Sequence, residues 1–241
     1  MAIIQAIQAI QTGQVDVSIA MGALTDLSYL ECQALRFMGA MGTDRYADEP
    51  SMACRPFDKH RDGFIYGESC GAVVVERTDS AARRRAKAYA GISGWSIVLD
   101  GNRNPDPSYE GEVLAIQKAL DQAKLSSHEI DYINPHGTGS IIGDQVELKA
   151  ICNCRLTHAH INATKSITGH GLSSAGAVEV IATLMQMNAS RLHPTRNLQD
   201  PIESSCSWVR DLSVPHVIEH ALNLSMGFGG INTAICLQNI N

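Results

Sequence analysis

The chain has 241 residues, 44% of them hydrophobic and 18% charged, with 20 glycines and a formal net charge of −6. That balance fits a globular α/β protein and excludes disordered and fibrous classes, while the negative charge argues against wholesale nucleic-acid binding. No apolar run approaches membrane-spanning length, and seven scattered cysteines with no leader-like segment before them read as free thiols in a reducing, cytoplasmic setting.

In chain order, Ile3, Ile4, Ile7 and Ile10 recur at helical spacing over 2–12, and Thr12-Gly13 stops the pattern, yet no Ser, Thr, Asp or Asn cap precedes Ala2. An apolar strand follows near 15–21, then a weaker helical pattern over 26–39 and a loop to about 57. GAVVVE predicts a strand over 71–76 and a basic helix covers 79–86, whose Arg83-Arg84-Arg85-Ala86-Lys87 run reads as a solvated face. A strand is expected around 88–98, a turn-rich loop over 100–110 and a helix over 111–124. Beyond it come strand 130–134, a glycine loop, helix 143–152, strand 159–162, a second glycine loop and helix 174–188. Strands 219–225 and 232–237 enclose the turn MGFGG. Strands alternating with helices predict a layered α/β fold.

Three motifs fail on context. Gly67-Glu68-Ser69-Cys70-Gly71 matches the nucleophile elbow of serine hydrolases, but an elbow needs a strand before it and a helix after it, and here a strand follows. Gly137, Gly139 and Gly143 lack the spacing of a dinucleotide fingerprint. Cys152, Cys154, His158 and His160 are packed more tightly than common zinc spacings, so they read as structural thiols and strand histidines.

A mutually consistent constellation remains. His136 lies in NPHGTGS, directly after strand DYIN, where open α/β sheets place their sites. Lys165 precedes Gly169-His170-Gly171, and the following helix start disfavours an imidazolium, so His170 is expected to stay neutral and donate a hydrogen bond. Phe228 sits in a glycine-flanked turn, where Gly227 and Gly229 permit close backbone approach to a ligand. Two histidines, a lysine and a Gly-Phe-Gly turn in loops of this kind point to a functional site.

The stretches RPFDKHRDGFIYGE (55–68), NPHGTGSIIGDQVE (134–147), TKSITGHGLSSAG (164–176) and MGFGGINTA (226–234) carry a resemblance to the β-ketoacyl synthases. These are condensing enzymes of fatty-acid and polyketide assembly, and the resemblance runs from Met1 to about Leu237. It implies a thiolase-like layered α/β/α fold, with residues 1–86 ending an N-terminal half and 87–241 forming the C-terminal half. It implies catalytic roles for His136, His170, Lys165 and Phe228, whose backbone N–H would help bind an oxyanion. It implies substrate-binding roles for Thr138, Ser140, Gly227 and Gly229, and pairing of Glu147 with Lys165. Ser140 stands where the family usually has threonine.

The family's nucleophilic cysteine opens the first helix. The match here starts a few residues inside that helix, so the cysteine and the preceding half of the fold are expected to lie outside this sequence, and none of the seven cysteines is expected to replace it. The implied function is decarboxylative condensation of malonyl and acyl thioesters. The alternatives are a malonyl-carrier-protein decarboxylase, a non-catalytic synthase partner, and a truncated remnant. A discrete polyketide-type enzyme is favoured over the fatty-acid one. No cofactor or metal is implied, because substrates ride on the phosphopantetheine of an acyl carrier protein. The expected partners are that carrier and either a second copy in a homodimer or a chain supplying the other half, with neither nucleic acid nor membrane. Strand 15–21 is expected to expose an apolar face and to build the dimer.

Overall fold

The computed structural model describes residues 1–102 and 105–240; Arg103 and Asn104, within the loop expected over 100–110, lie outside them. The chain begins with α1 (Ala2–Gln11), β1 (Val17–Gly22) and α2 (Tyr29–Phe37), followed by β2 (Gly71–Glu76) and α3 (Thr78–Arg84). Then come β3 (Gly91–Leu99), α4 (Tyr109–Ala123), β4 (Tyr132–Asn134), α5 (Ile141–Asn153) and β5 (His160–Ile161). The short α6 (Lys165–Thr168) leads to α7 (Ala175–Ala189), and β6 (Arg191–Leu192), β7 (Ser207–Trp208), β8 (Val214–Pro215), β9 (His220–Gly227) and β10 (Ile231–Gln238) close the chain.

The helix boundaries follow from caps that periodicity alone cannot place. Ser28 and Glu31 form a reciprocal capping box, so α2 starts at Tyr29 rather than near 26. Ser108 accepts the Gly111 N–H at 3.1 Å and Ser140 accepts the Gly143 N–H at 3.2 Å. Both helices α4 and α5 therefore begin two residues earlier than the apolar pattern suggests. The basic helix is solvated as expected: Arg84 pairs with Glu76 at 2.6 Å and Arg83 with Asp79 at 3.3 Å. The two-residue strands β6, β7 and β8 carry too little alternation to be read from sequence.

Six strands form the main sheet in the order β3-β10-β9-β4-β5-β7. The β3, β10 and β9 strands run antiparallel, whereas β9, β4, β5 and β7 run parallel. Helices α4 and α5 cover one face, and α7 packs between the other face and the two-stranded β1-β2 sheet. The alternation of the strands divides the core accordingly. Ile133 and Leu222 join Phe57, Ile116 and Ile151 on the α4–α5 side. Tyr132 and Ala221 join Ile4, Ile7 and Val180 on the other. The α1 pattern is fulfilled: Ile3, Ile4, Ile7 and Ile10 are buried, and no side chain caps the helix at Met1.

On β1 the strand expected near 15–21 is present, and it exposes an apolar row. Ile19 is 64% and Met21 66% exposed, and Val17 and Val15 are exposed beside them. Nearby α2 buries no residue, and its Phe37 is 95% exposed. Among the described residues no helix is long and apolar enough to cross a membrane.

Candidate active site

Because β4, β5 and β9 are parallel neighbours, their carboxyl ends fall on one side of the sheet. The loop after β4 carries His136, the segment after β5 carries Lys165 and then His170, and the turn after β9 carries Phe228. Topology thus gathers residues that are nearly a hundred positions apart, at the edge where open α/β sheets bind ligands. A cavity of about 640 Å³ opens there, lined by His136, His170, Thr138, Ser140, Gly227 and Phe228 among others.

Two carboxylates on one face of α5 hold the His136 loop. Glu147 accepts the N–H groups of His136 at 2.6 Å and Gly137 at 2.8 Å. One turn earlier, Asp144 accepts those of Thr138 at 3.0 Å, Gly139 at 3.1 Å and Phe57 at 2.7 Å. The loop can lie this close only with glycine at 137: its φ is +36°, and a Cβ there would come within 2.6 Å of the Phe57 ring. Arg61 sits 3.9 Å from Asp144 and donates to the carbonyls of Ser140 and Ile141.

Lys165 is only 1% exposed. Its ammonium donates to the His136 carbonyl and to Glu179 Oε1, and reaches His136 Nδ1 at 3.2 Å. The pairing implied for Lys165 is therefore corrected. Its ionic partner is Glu179 on α7, while both oxygens of Glu147 are taken by backbone N–H groups. Burial pushes the Glu179 carboxyl up to about 7, and the adjacent Lys165 opposes that shift. Glu179 announces itself in sequence only as a single acid in the otherwise apolar helix AGAVEVIATL, a signal that sequence reasoning passed over.

The same contacts fix both imidazoles. A lysine donor at Nδ1 of His136 leaves the ring proton on Nε2. At His170 the Leu172 N–H donates to Nδ1 at 3.3 Å, which again assigns the proton to Nε2. The rings meet edge to face with centroids 5.3 Å apart, and Phe64 packs on His170 at 5.2 Å. Burial, reinforced by the charge of Lys165, holds both histidines well below their ordinary pKa. Both are thus neutral donors at physiological pH, as the sequence led one to expect for His170.

The remaining sequence candidates divide. Thr138 and Ser140 line the cavity, although the Ser140 hydroxyl also caps α5. Gly227 and Phe228 line it too, but Gly230 rather than Gly229 completes the turn's contribution. None of the seven cysteines is among the cavity residues. Burial raises the thiols of Cys54, Cys206 and Cys236 to about 12 and that of Cys154 to about 11, the opposite of activation. Among the described residues no group of three or more His, Cys, Asp or Glu is arranged to hold a metal ion.

Two histidines, a buried lysine and a phenylalanine turn thus meet at the ends of parallel strands in a layered α/β sheet of the thiolase-like ketosynthase fold. Comparison with known proteins makes the assignment specific. Residues 1–81 match the profile "Beta-ketoacyl synthase, N-terminal domain" and residues 89–199 match "Beta-ketoacyl synthase, C-terminal domain". The chain belongs to the β-ketoacyl synthase family. It is 66% identical to the polyketide biosynthesis malonyl-ACP decarboxylase PksF of Bacillus subtilis (strain 168), over 100% of this chain and 58% of that protein. It is 35% identical to 3-oxoacyl-[acyl-carrier-protein] synthase 2 of Synechocystis sp., over 98% of this chain and 58% of that protein. A crystal structure of a β-ketoacyl synthase from Burkholderia phymatum superposes with a TM-score of 0.93 at 31% identity, covering 100% of this chain and 59% of that one. The chain therefore spans under three fifths of the length of these relatives.

Proposed function

We infer that this chain provides the charge-stabilising part of a malonyl-carrier-protein decarboxylase of polyketide biosynthesis. The observation that carries the reading is the convergence of two neutral imidazoles, each with its proton on Nε2, in one cavity beside Phe228. When a malonyl thioester loses CO₂, the electrons of the breaking C–C bond become an enolate whose charge rests on the thioester oxygen. Two preorganised N–H donors stabilise that oxygen, each worth about 10²–10³ in rate. A proton from solvent then gives the acetyl thioester. Lys165, held by Glu179, orients His136 and keeps its proton on Nε2, and Glu147 with Asp144 fixes the loop that carries it.

The substrate arrives on the phosphopantetheine of an acyl carrier protein, with Thr138 and Ser140 beside the arm, and the reaction needs neither metal nor nicotinamide. The 66% identity to a protein named as a malonyl-ACP decarboxylase supports this reading over condensation. Decarboxylative condensation is the second reading, favoured by the synthases that align over nearly the whole chain. The setting is cytoplasmic. The exposed Val17, Ile19 and Met21 row supports β1 as the seam of an isologous homodimer. The test is CO₂ release from malonyl-carrier protein, with His136→Ala and His170→Ala as variants. Release that is unaffected by both substitutions contradicts the reading.

A further inference from the structure

Four carboxyl groups face one another along the side of the cavity nearest Thr138: Asp100 after β3, Glu112 on α4, and Asp144 and Glu147 on α5. Three are committed to N–H donors. Asp144 and Glu147 hold the His136 loop, and Asp100 accepts Asn232 Nδ2 at 2.6 Å and the Asn102 N–H at 2.7 Å. Glu112 is different. It is 1% exposed, it lines the cavity, and its Oε2 has no hydrogen-bond partner among the described residues. A buried carboxyl in that position is costly unless it is neutral or meets a ligand.

Its protonation state follows from its surroundings. Burial, then the charges of Glu147, Asp100 and Asp144, push the Glu112 carboxyl up to about 9. Burial raises Glu147 as well, but there two backbone N–H donors and Lys165 oppose the rise. Glu112 therefore holds its proton more firmly than Glu147, and as an acid it carries one O–H donor and one C=O acceptor in the cavity wall. An anionic ligand head would add a further acidic group to this cluster and is disfavoured there. The neutral group that complements a carboxylic acid atom for atom is a secondary amide: its C=O accepts the acid O–H, and its N–H donates to the acid C=O.

We propose that Glu112, buried in the cavity wall with an unpartnered oxygen, is a binding subsite for a secondary amide of the pantetheine arm. The proposal rests on the reading that the substrate is carried on phosphopantetheine, whose arm contains such amides and would pass Thr138 and Ser140 in the same cavity. Glu112 is then an arm-binding residue and takes no part in the bond-breaking step.

The test uses S-methylpantetheine, whose capped sulfur cannot titrate, in ligand-detected NMR titrations of wild type, Glu112→Leu and Glu112→Gln. At pH 7 the leucine variant, which can make neither hydrogen bond, should bind roughly tenfold more weakly. The glutamine variant, which keeps a donor and an acceptor, should bind within about twofold of wild type. Raising the pH past about 9 should weaken wild-type binding and leave the glutamine variant unchanged. That contrast separates Glu112 from Glu147, which titrates in both proteins, and it stands even if the leucine variant misfolds.

Equal binding by wild type and a folded leucine variant, or wild-type affinity that is flat to pH 10, overturns the proposal. So does uptake of Na⁺ or K⁺ that strengthens with pH and disappears in Glu112→Gln, since it would assign the carboxyl to a cation. CO₂ release from malonyl-carrier protein is read separately. Glu112-dependent binding without CO₂ release sinks the decarboxylase reading and leaves the subsite, whereas CO₂ release with Glu112-independent binding does the reverse.

Discussion

The loops after β4 and β5 differ sharply from the face formed by β1 and α2. In the first region the buried charged groups are paired or hydrogen-bonded through at least one atom. Lys165 meets Glu179 and the His136 carbonyl, while Glu147 and Asp144 take five backbone N–H groups between them. In the second, Ile19, Met21, Leu30 and Phe37 are exposed. The contrast shows where polar groups are satisfied within the chain and where an apolar face stays open: a preorganised site needs rigid support, whereas exposed apolar rows are candidates for association.

The largest expected effect comes from cutting the network. Lys165→Met strands Glu179 in the interior and should cost about 3–5 kcal/mol, read as a lower denaturant midpoint. The double variant Lys165→Met/Glu179→Met should recover much of that loss, because two apolar groups leave no buried charge unpaired. A single variant as stable as wild type would mean that the pair is not the keystone of this region. Next in size, His136→Ala and His170→Ala should each lower CO₂ release by about 10²–10³, because the enolate oxygen loses one donor.

On the other side of the comparison, Ile19→Lys and Met21→Lys place charge on the β1 row. They should convert the associated protein to a soluble monomer in sedimentation, with little change in the secondary structure of the β4–α7 region. If assembly persists, β1 is not the seam.

A further expected effect is a pH dependence. In the folded protein the Glu112 carboxyl is pushed up to about 9 from the ordinary 4.5 of a glutamate. The fold therefore holds a proton that the unfolded chain releases at lower pH. Its contribution is fully present below about 4.5 and is lost as pH climbs toward 9. Glu112→Gln carries no such proton, so its melting temperature should gain on wild type steadily between pH 5 and pH 9. Parallel curves would mean that Glu112 is ionised in the fold.

Much of this site was legible because its residues occupy glycine loops at strand ends, where backbone constraint and exposure leave marks in sequence. His136, His170, Lys165 and Phe228 all announced themselves that way. Glu179, Asp144 and Glu112 did not, since each lies within a helix whose pattern is set by its apolar neighbours. Their roles depend on which loop folds back over them. The β1 strand was legible as apolar, but hydrophobicity states only that a face will be covered and leaves the covering partner unnamed. The helix starts shifted by two or three residues wherever a serine cap, as at Ser28, Ser108 and Ser140, outweighed the apolar period.

The account turns on the two Nε2–H donors that share one cavity. The most direct measurement is CO₂ release from malonyl-carrier protein by the protein expressed from its natural gene, followed from pH 5 to pH 8 beside His136→Ala and His170→Ala. Both imidazoles are held well below their ordinary pKa. The account therefore predicts release that is flat from pH 8 down past pH 6 and falls by two orders of magnitude or more when either histidine is removed. Release that drops with an ordinary histidine midpoint, or that survives both substitutions, would contradict it.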